Sequence, residues 1–263
     1  MNATLEKERE LLSPALLDVF LDLFRRMIEA GAEIYRVEEA IERVCTAYGA
    51  SRTEAYATTS HIVISVELQE GVTLTDTRRI KSARTDIEQL DRLNTLLRRM
   101  CTERPDRAEI ERALNEATHA PAYPGYLTVL SYGVIAAAFC LFFGARTGME
   151  ALVAFFIGLA VGGLCKLIER PIDNKLMQRF LCSLLASVLA FTCLRLSLIA
   201  SVDKVIIGNI MSLIPGIGLT NAIRDLFAGD SITGILRAIE AVLLALAIAA
   251  GYILAAYLFG GVV

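Results

Sequence analysis

Residues 209–230, NIMSLIPGIGLTNAIRDLFAGD, place a proline and two glycines inside an apolar run that is followed at once by polar and ionisable side chains. Pro215 removes a backbone donor, and Gly216 and Gly218 make unwinding cheap, so a helix is expected to break there. At membrane depth a broken helix is tolerated where it lines a cavity, and its half-helix ends then offer partial charges to a solute. A proline kink that only aids packing is the ordinary alternative. Asn209 before the break, with Asn221, Arg224 and Asp225 after it, favours a site, because polar groups in an apolar segment are costly and usually functional. The candidate substrate-binding residues are therefore Asn209, Pro215, Gly216, Asn221, Arg224 and Asp225. Asp225 is placed at the mouth of the cavity, where a carboxylate can attract an ammonium group or take up a proton. Arg224, about 100° away around a helix, suits a carboxylate on a substrate or a partner. The alternative for Asp225 and Asp230 is a solvated cluster at the membrane interface.

Other chemistry-bearing groups have plainer readings. Glu33, Arg36, Glu38 and Glu39 cluster in GAEIYRVEEAIERV, where paired carboxylates could serve acid/base work, but alternating charges usually mark a solvated helix face. RRIKSAR, residues 78–84, has four cations in seven positions and suits either anionic lipid or a solvated loop. His61 opens a strand and reads as a partly buried structural residue. Arg195, inside an apolar segment, is either a second candidate or a side chain that snorkels to the interface. Two isolated histidines, no CxxC and six dispersed cysteines imply neither a metal site nor a disulfide framework. No GxSxG, Walker loop or HExxH occurs, so no catalytic residue, cofactor or nucleic-acid partner is expected and the chain does not read as an enzyme.

The elements that must position these residues divide by composition. Of the 263 residues 55% are hydrophobic and 21% charged, too apolar for a soluble domain and too charged for membrane throughout. Residues 1–125 hold 17 Lys/Arg and 22 Asp/Glu, whereas 126–263 hold 9 and 7, so the two characters are segregated along the chain. The N-terminal MNATLEKERELL lacks the apolar core of a secretory signal.

In the first half, Ser13-Pro14 opens a helical pattern that Gly31 interrupts and that resumes to Gly49, giving two helices or one bent helix. The period then changes to two around Ile62, Ile64, Val66 and Leu68, with LQEGVTL turning into a second strand and RTEAYATT a weaker third. Helices from Thr85 and over 106–119 lead to Pro121 and Pro124. Residues 1–122 are expected to form a small α+β domain. Residues 123–263 hold five apolar segments, at 126–143, 151–165, 180–202, 205–223 and about 233–259, each near the length that crosses a bilayer. Lys166, Arg170, Lys175 and Arg179 make the loop between the second and third segments cytoplasmic, which puts the α+β domain in the cytoplasm and the C-terminus outside. Gly158 and Gly162 allow close helix contact. The expected class is an α-helical polytopic membrane protein with five transmembrane helices, preceded by a cytoplasmic α+β domain.

The order of elements, GAEIYRVEEAIERVCTAYG, TRRI, LDRLNTLLRR and above all LIPGIGLTNAIRDLFAGD resemble the threonine/serine exporter family, in its larger, N-terminal-type subunit, over nearly the whole chain. The resemblance implies proton-driven export of small amino acids, or of dicarboxylates such as succinate, across the bacterial inner membrane. It implies a second small membrane subunit as partner, because the chain stops after the fifth segment; a homo-oligomer is a further option. The competing reading is a membrane-anchored cytoplasmic hydrolase or sensor. Five spans exceed what an anchor requires.

Overall fold

The computed structural model describes residues 12–68, 71–81, 85–119, 123–169, 171–172 and 174–260. The N-terminal MNATLEKEREL, Gln69-Glu70 of LQEGVTL, residues 82–84 of RRIKSAR, Pro121 and Arg170 lie outside them. The chain divides into two compact units, Met1–Pro121 with Thr220–Arg237, and Ala122–Leu219 with Ala238–Val263.

In the first unit, α1 (Pro14–Glu29) starts where the Ser13 hydroxyl accepts from the Leu16 amide, with proline at the first helical position. Gly31, at φ +97°, turns the chain into a separate helix α2 (Ile34–Ala47), and Gly49 at φ +93° ends that helix. Three antiparallel strands follow as a meander: β1 (Ala50–Ala57), β2 (His61–Leu68) and β3 (Thr73–Arg79). The weak third strand of the sequence pattern is thus a full edge strand, registered from Thr53 opposite Val66 to Ala57 opposite Ile62. Alternation sends Ile62, Ile64 and Val66 to one face, where they are fully buried. They join Phe20, Phe24, Ile34, Ile41, Val44 and residues of α3 (Ile87–Glu103) and α4 (Arg107–Thr118) in one apolar core. Each such side chain contributes roughly 1.5–3 kcal/mol on burial. Asp86 and Asp106 cap α3 and α4 by accepting from the Gln89 and Glu109 amides. His61 is exposed rather than partly buried, its ring within hydrogen-bond distance of the Thr58 and Ser60 hydroxyls at the β1–β2 turn.

In the second unit, α5 (Gly125–Phe142), α6 (Gly148–Ile168) and α7 (Lys175–Arg195) are long and apolar enough to cross a membrane. So is α10 (Ser231–Leu258), whose residues from Ala238 onward belong here. At 1.5 Å per residue the 28 residues of α10 run about 42 Å, longer than a hydrocarbon core of about 30 Å. The helices pack through glycine: a Cβ at Gly158 would lie 2.6 Å from the Tyr132 carbonyl, and one at Gly251 2.5 Å from that of Phe180. Glu150 is buried in the capping box of α6 and also accepts from the Ser201 amide, at 2.9 Å. Arg195 ends α7 and donates to the Phe259 carbonyl at 2.9 Å, closing the last turn after α10.

The described residues hold four such helices, not five. The run 205–223 is split into α8 (Val202–Ile210) and α9 (Gly216–Ala228), each too short to span alone. The Ser212 hydroxyl turns back to the Asn209 carbonyl at 2.8 Å, and Pro215 has no amide with which to continue the ladder. The expected third segment is also shorter, since α7 ends at Arg195 and Ser197 adopts a left-handed φ of +54°.

Candidate functional site

The polar side chains of α9 gather on the corner between α1 and α2. The turn at Gly31 leaves the carbonyls of Gly31 and Ala32 outside any helical ladder, as free acceptors. Asn221 donates to the Gly31 carbonyl at 3.3 Å, and Arg237, from the start of α10, donates to the Ala32 carbonyl at 3.0 Å. Arg237 also donates to Asp225 at 2.9 Å, and this pair is taken out of water, the two side chains being 11% and 0% exposed. Arg224 pairs with Glu33, whose other oxygen meets Arg36 at 2.8 Å. One guanidinium thus clasps α10, α9 and the corner together.

The hairpin that presents these groups is set by two glycines. Gly229, at φ +99°, ends α9 while the Asp230 amide donates back to the Asp225 carbonyl at 2.9 Å. Gly234 lets α10 press against α9, where a Cβ would meet Leu226 at 2.6 Å and the Ala222 carbonyl at 3.0 Å. Opposite, Glu38 of α2 accepts from the Ala57 amide at 2.7 Å and so ties the helix to the end of β1.

Burial governs the electrostatics. Asp225 is wholly buried beside Arg237, and Asp230 adds a like charge nearby. Asp230 is raised by burial, and Glu38 by burial and by the charges of Asp230 and Glu42. One oxygen each of Asp225 and Asp230 is buried without a hydrogen-bond partner.

The six sequence candidates fall in different places. Asn221, Arg224 and Asp225 come together with the α1–α2 corner. Asn209 belongs to the second unit, buried on α8, where its amide donates to the Val205 carbonyl at 2.9 Å and to that of Ala154 at 3.4 Å. Pro215 and Gly216 form the start of α9, and a Cβ at Gly216 would meet nothing within 4 Å, so packing does not require that glycine. Asp225 is not solvated, and Glu33 is buried rather than on the water-facing surface that alternating charge suggested; Glu38 is half-buried, while Arg36 and Glu39, the latter paired with Arg43, are exposed. In RRIKSAR, Arg78 is paired with Asp18. Sequence reasoning passed over Arg237. A lone cation two turns into an apolar helix was the available signal.

The family model described as "Putative threonine/serine exporter" (ThrE) matches residues 18–259, from α1 through the whole of α10. The chain belongs to this exporter family. A similar protein is the "Probable succinate transporter subunit YjjP" of Klebsiella aerogenes, 25% identical over 89% of this chain and 90% of that one. The YjjP of Escherichia coli strain K12, with the same description, is 24% identical over 89% and 91%. No solved structure matches. The exporter-family chain is accordingly a multi-pass membrane protein of transport, and the Asp225–Arg237 clasp is part of what the match spans.

Proposed function

We propose that the chain is the larger subunit of a two-subunit exporter of small amino acids or related small carboxylates, driven by the proton gradient across a bacterial inner membrane. The observation that carries this reading is the break at Pro215 in an apolar passage of an exporter-family chain, followed within ten residues by the buried Asp225. On this reading α8, the break and α9 together make a fifth, interrupted crossing, so that the first 122 residues face the cytoplasm and the C-terminus lies outside, as the cations between α6 and α7 favour. The relatives described as transporter subunits support a second, small membrane subunit, and their described substrate supports a carboxylate-bearing cargo. Asn209, Pro215, Gly216, Asn221, Arg224 and Asp225 remain the residues assigned to the substrate path. A membrane-anchored hydrolase or sensor is the weaker reading, since the family and both relatives are transporters.

Counterflow of labelled threonine, serine and succinate in liposomes tests it. Uptake of at least one is expected with the partner present and little without it. Absence of counterflow for all three with the partner present overturns the transport reading, and full activity of this chain alone overturns the two-subunit part.

A further inference from the structure

Three carboxyl groups, Asp225 on α9, Asp230 in the turn and Glu38 on α2, are near enough for the charge of Asp230 to act on the other two. Asp225 is wholly buried, yet only one of its side-chain oxygens has a hydrogen-bond partner, the Arg237 guanidinium; Oδ1 has none, and neither has Oδ2 of Asp230. A buried carboxylate oxygen without a donor is costly, and a proton is the smallest group that resolves it. The cations around the cluster are each divided between two partners or held by another carboxylate. Arg237 is shared between Asp225 and the Ala32 carbonyl, while Arg224 is held by Glu33, which also takes Arg36. Also facing Asp225 are the Ile34 amide at the start of α2, a donor that favours the charged carboxylate, and the charge of Asp230, which favours the protonated one; Asp230 in turn acts on Glu38, which also feels Glu42.

We propose that Asp225, Asp230 and Glu38 form a proton-binding site assembled when the α9–α10 hairpin seats on the α1–α2 corner, so that seating takes up a proton and leaving releases it. Protonation turns Asp225 or Asp230 from acceptor into donor toward its neighbour and removes one of the like charges that seating brings together. The direction agrees with burial raising Asp230 and Glu38: the seated arrangement is favoured at low pH and loosens as pH rises through the raised values. Resting on the transport reading, this is where the coupling proton is carried, and the moving part is the hairpin directly after the Pro215 break.

The site is testable without transport. Infrared spectra of the full chain in lipid nanodiscs, with no substrate, should show the carbonyl stretch of a buried, protonated carboxylic acid near neutral pH. That band should vanish in at least one of Asp225→Asn, Asp230→Asn and Glu38→Gln, each of which keeps size and hydrogen bonding. No such band in the parent chain, or the same band in all three variants, overturns the proposal. Counterflow that ignores a pH gradient, with the band present and lost as described, would instead count against proton-driven export alone.

Discussion

Arg237 carries more than its charge. Replacing it by methionine strands Asp225 as an uncompensated buried carboxylate and takes the donor from the Ala32 carbonyl, so a loss of about 3–5 kcal/mol is expected in the stability of the first unit. Adding Asp225→Leu should recover most of that loss, because a buried ion pair exchanged for apolar side chains is often neutral. Thermal melting of the purified chain and of both variants reads this out; equal melting of the parent and the single variant would mean that the clasp contributes nothing. The neighbouring Arg224–Glu33 pair makes a useful contrast, since Arg224 is 48% exposed and its removal should cost about 1 kcal/mol or less. Transport separates the residues differently. Asp225→Asn is expected to abolish counterflow at normal membrane abundance, and unchanged counterflow would remove Asp225 from the site.

In the second unit, helices approach most closely at glycines such as Gly158 and Gly251. At Gly158 a methyl group would press on the backbone of α5, 2.6 Å from the Tyr132 carbonyl and 2.8 Å from the Cα of Gly133. Neither can move without shifting the helix, so Gly158→Ala is expected to cost about 1–3 kcal/mol. Gly163, five residues on in the same helix, has nothing within 4 Å of the same methyl group. Gly163→Ala should then be neutral or gain up to about 1 kcal/mol from helix propensity. Melting temperatures in detergent compare the pair directly, and equal effects would mean that α5 and α6 are not packed as described.

For the whole molecule, the test of orientation is which side of the membrane the first unit faces. Cys45 is a poor probe: it is fully buried, and burial pushes its thiol up to about 12. Cys101 on α3 is partly exposed and is the better one. With the first unit in the cytoplasm, an impermeant thiol reagent should label Cys101 in inverted vesicles and miss it in intact cells. Labelling in intact cells, absent from a Cys101→Ser control, would reverse the orientation.

Much of this architecture was legible in the residues alone. Ser13-Pro14 and Gly31 bounded α1 because capping and left-handed turns are local chemistry, and alternation around Ile62, Ile64 and Val66 marked the buried face of the sheet for the same reason. Apolar length found α5, α6, α7 and α10, and Pro215 located the break between α8 and α9. What followed from that break was not local. Whether α8 and α9 count as one crossing depends on what satisfies their ends, and whether Glu33 faces water depends on a residue about 190 positions away in the chain. Arg237 was invisible as a partner of Asp225 and Ala32 because a guanidinium carries no mark of which acceptors the fold will bring to it. Periodicity and caps are written in neighbouring residues, whereas the pairing of buried charges is settled only when the hairpin after Pro215 packs against a corner formed near the start of the chain.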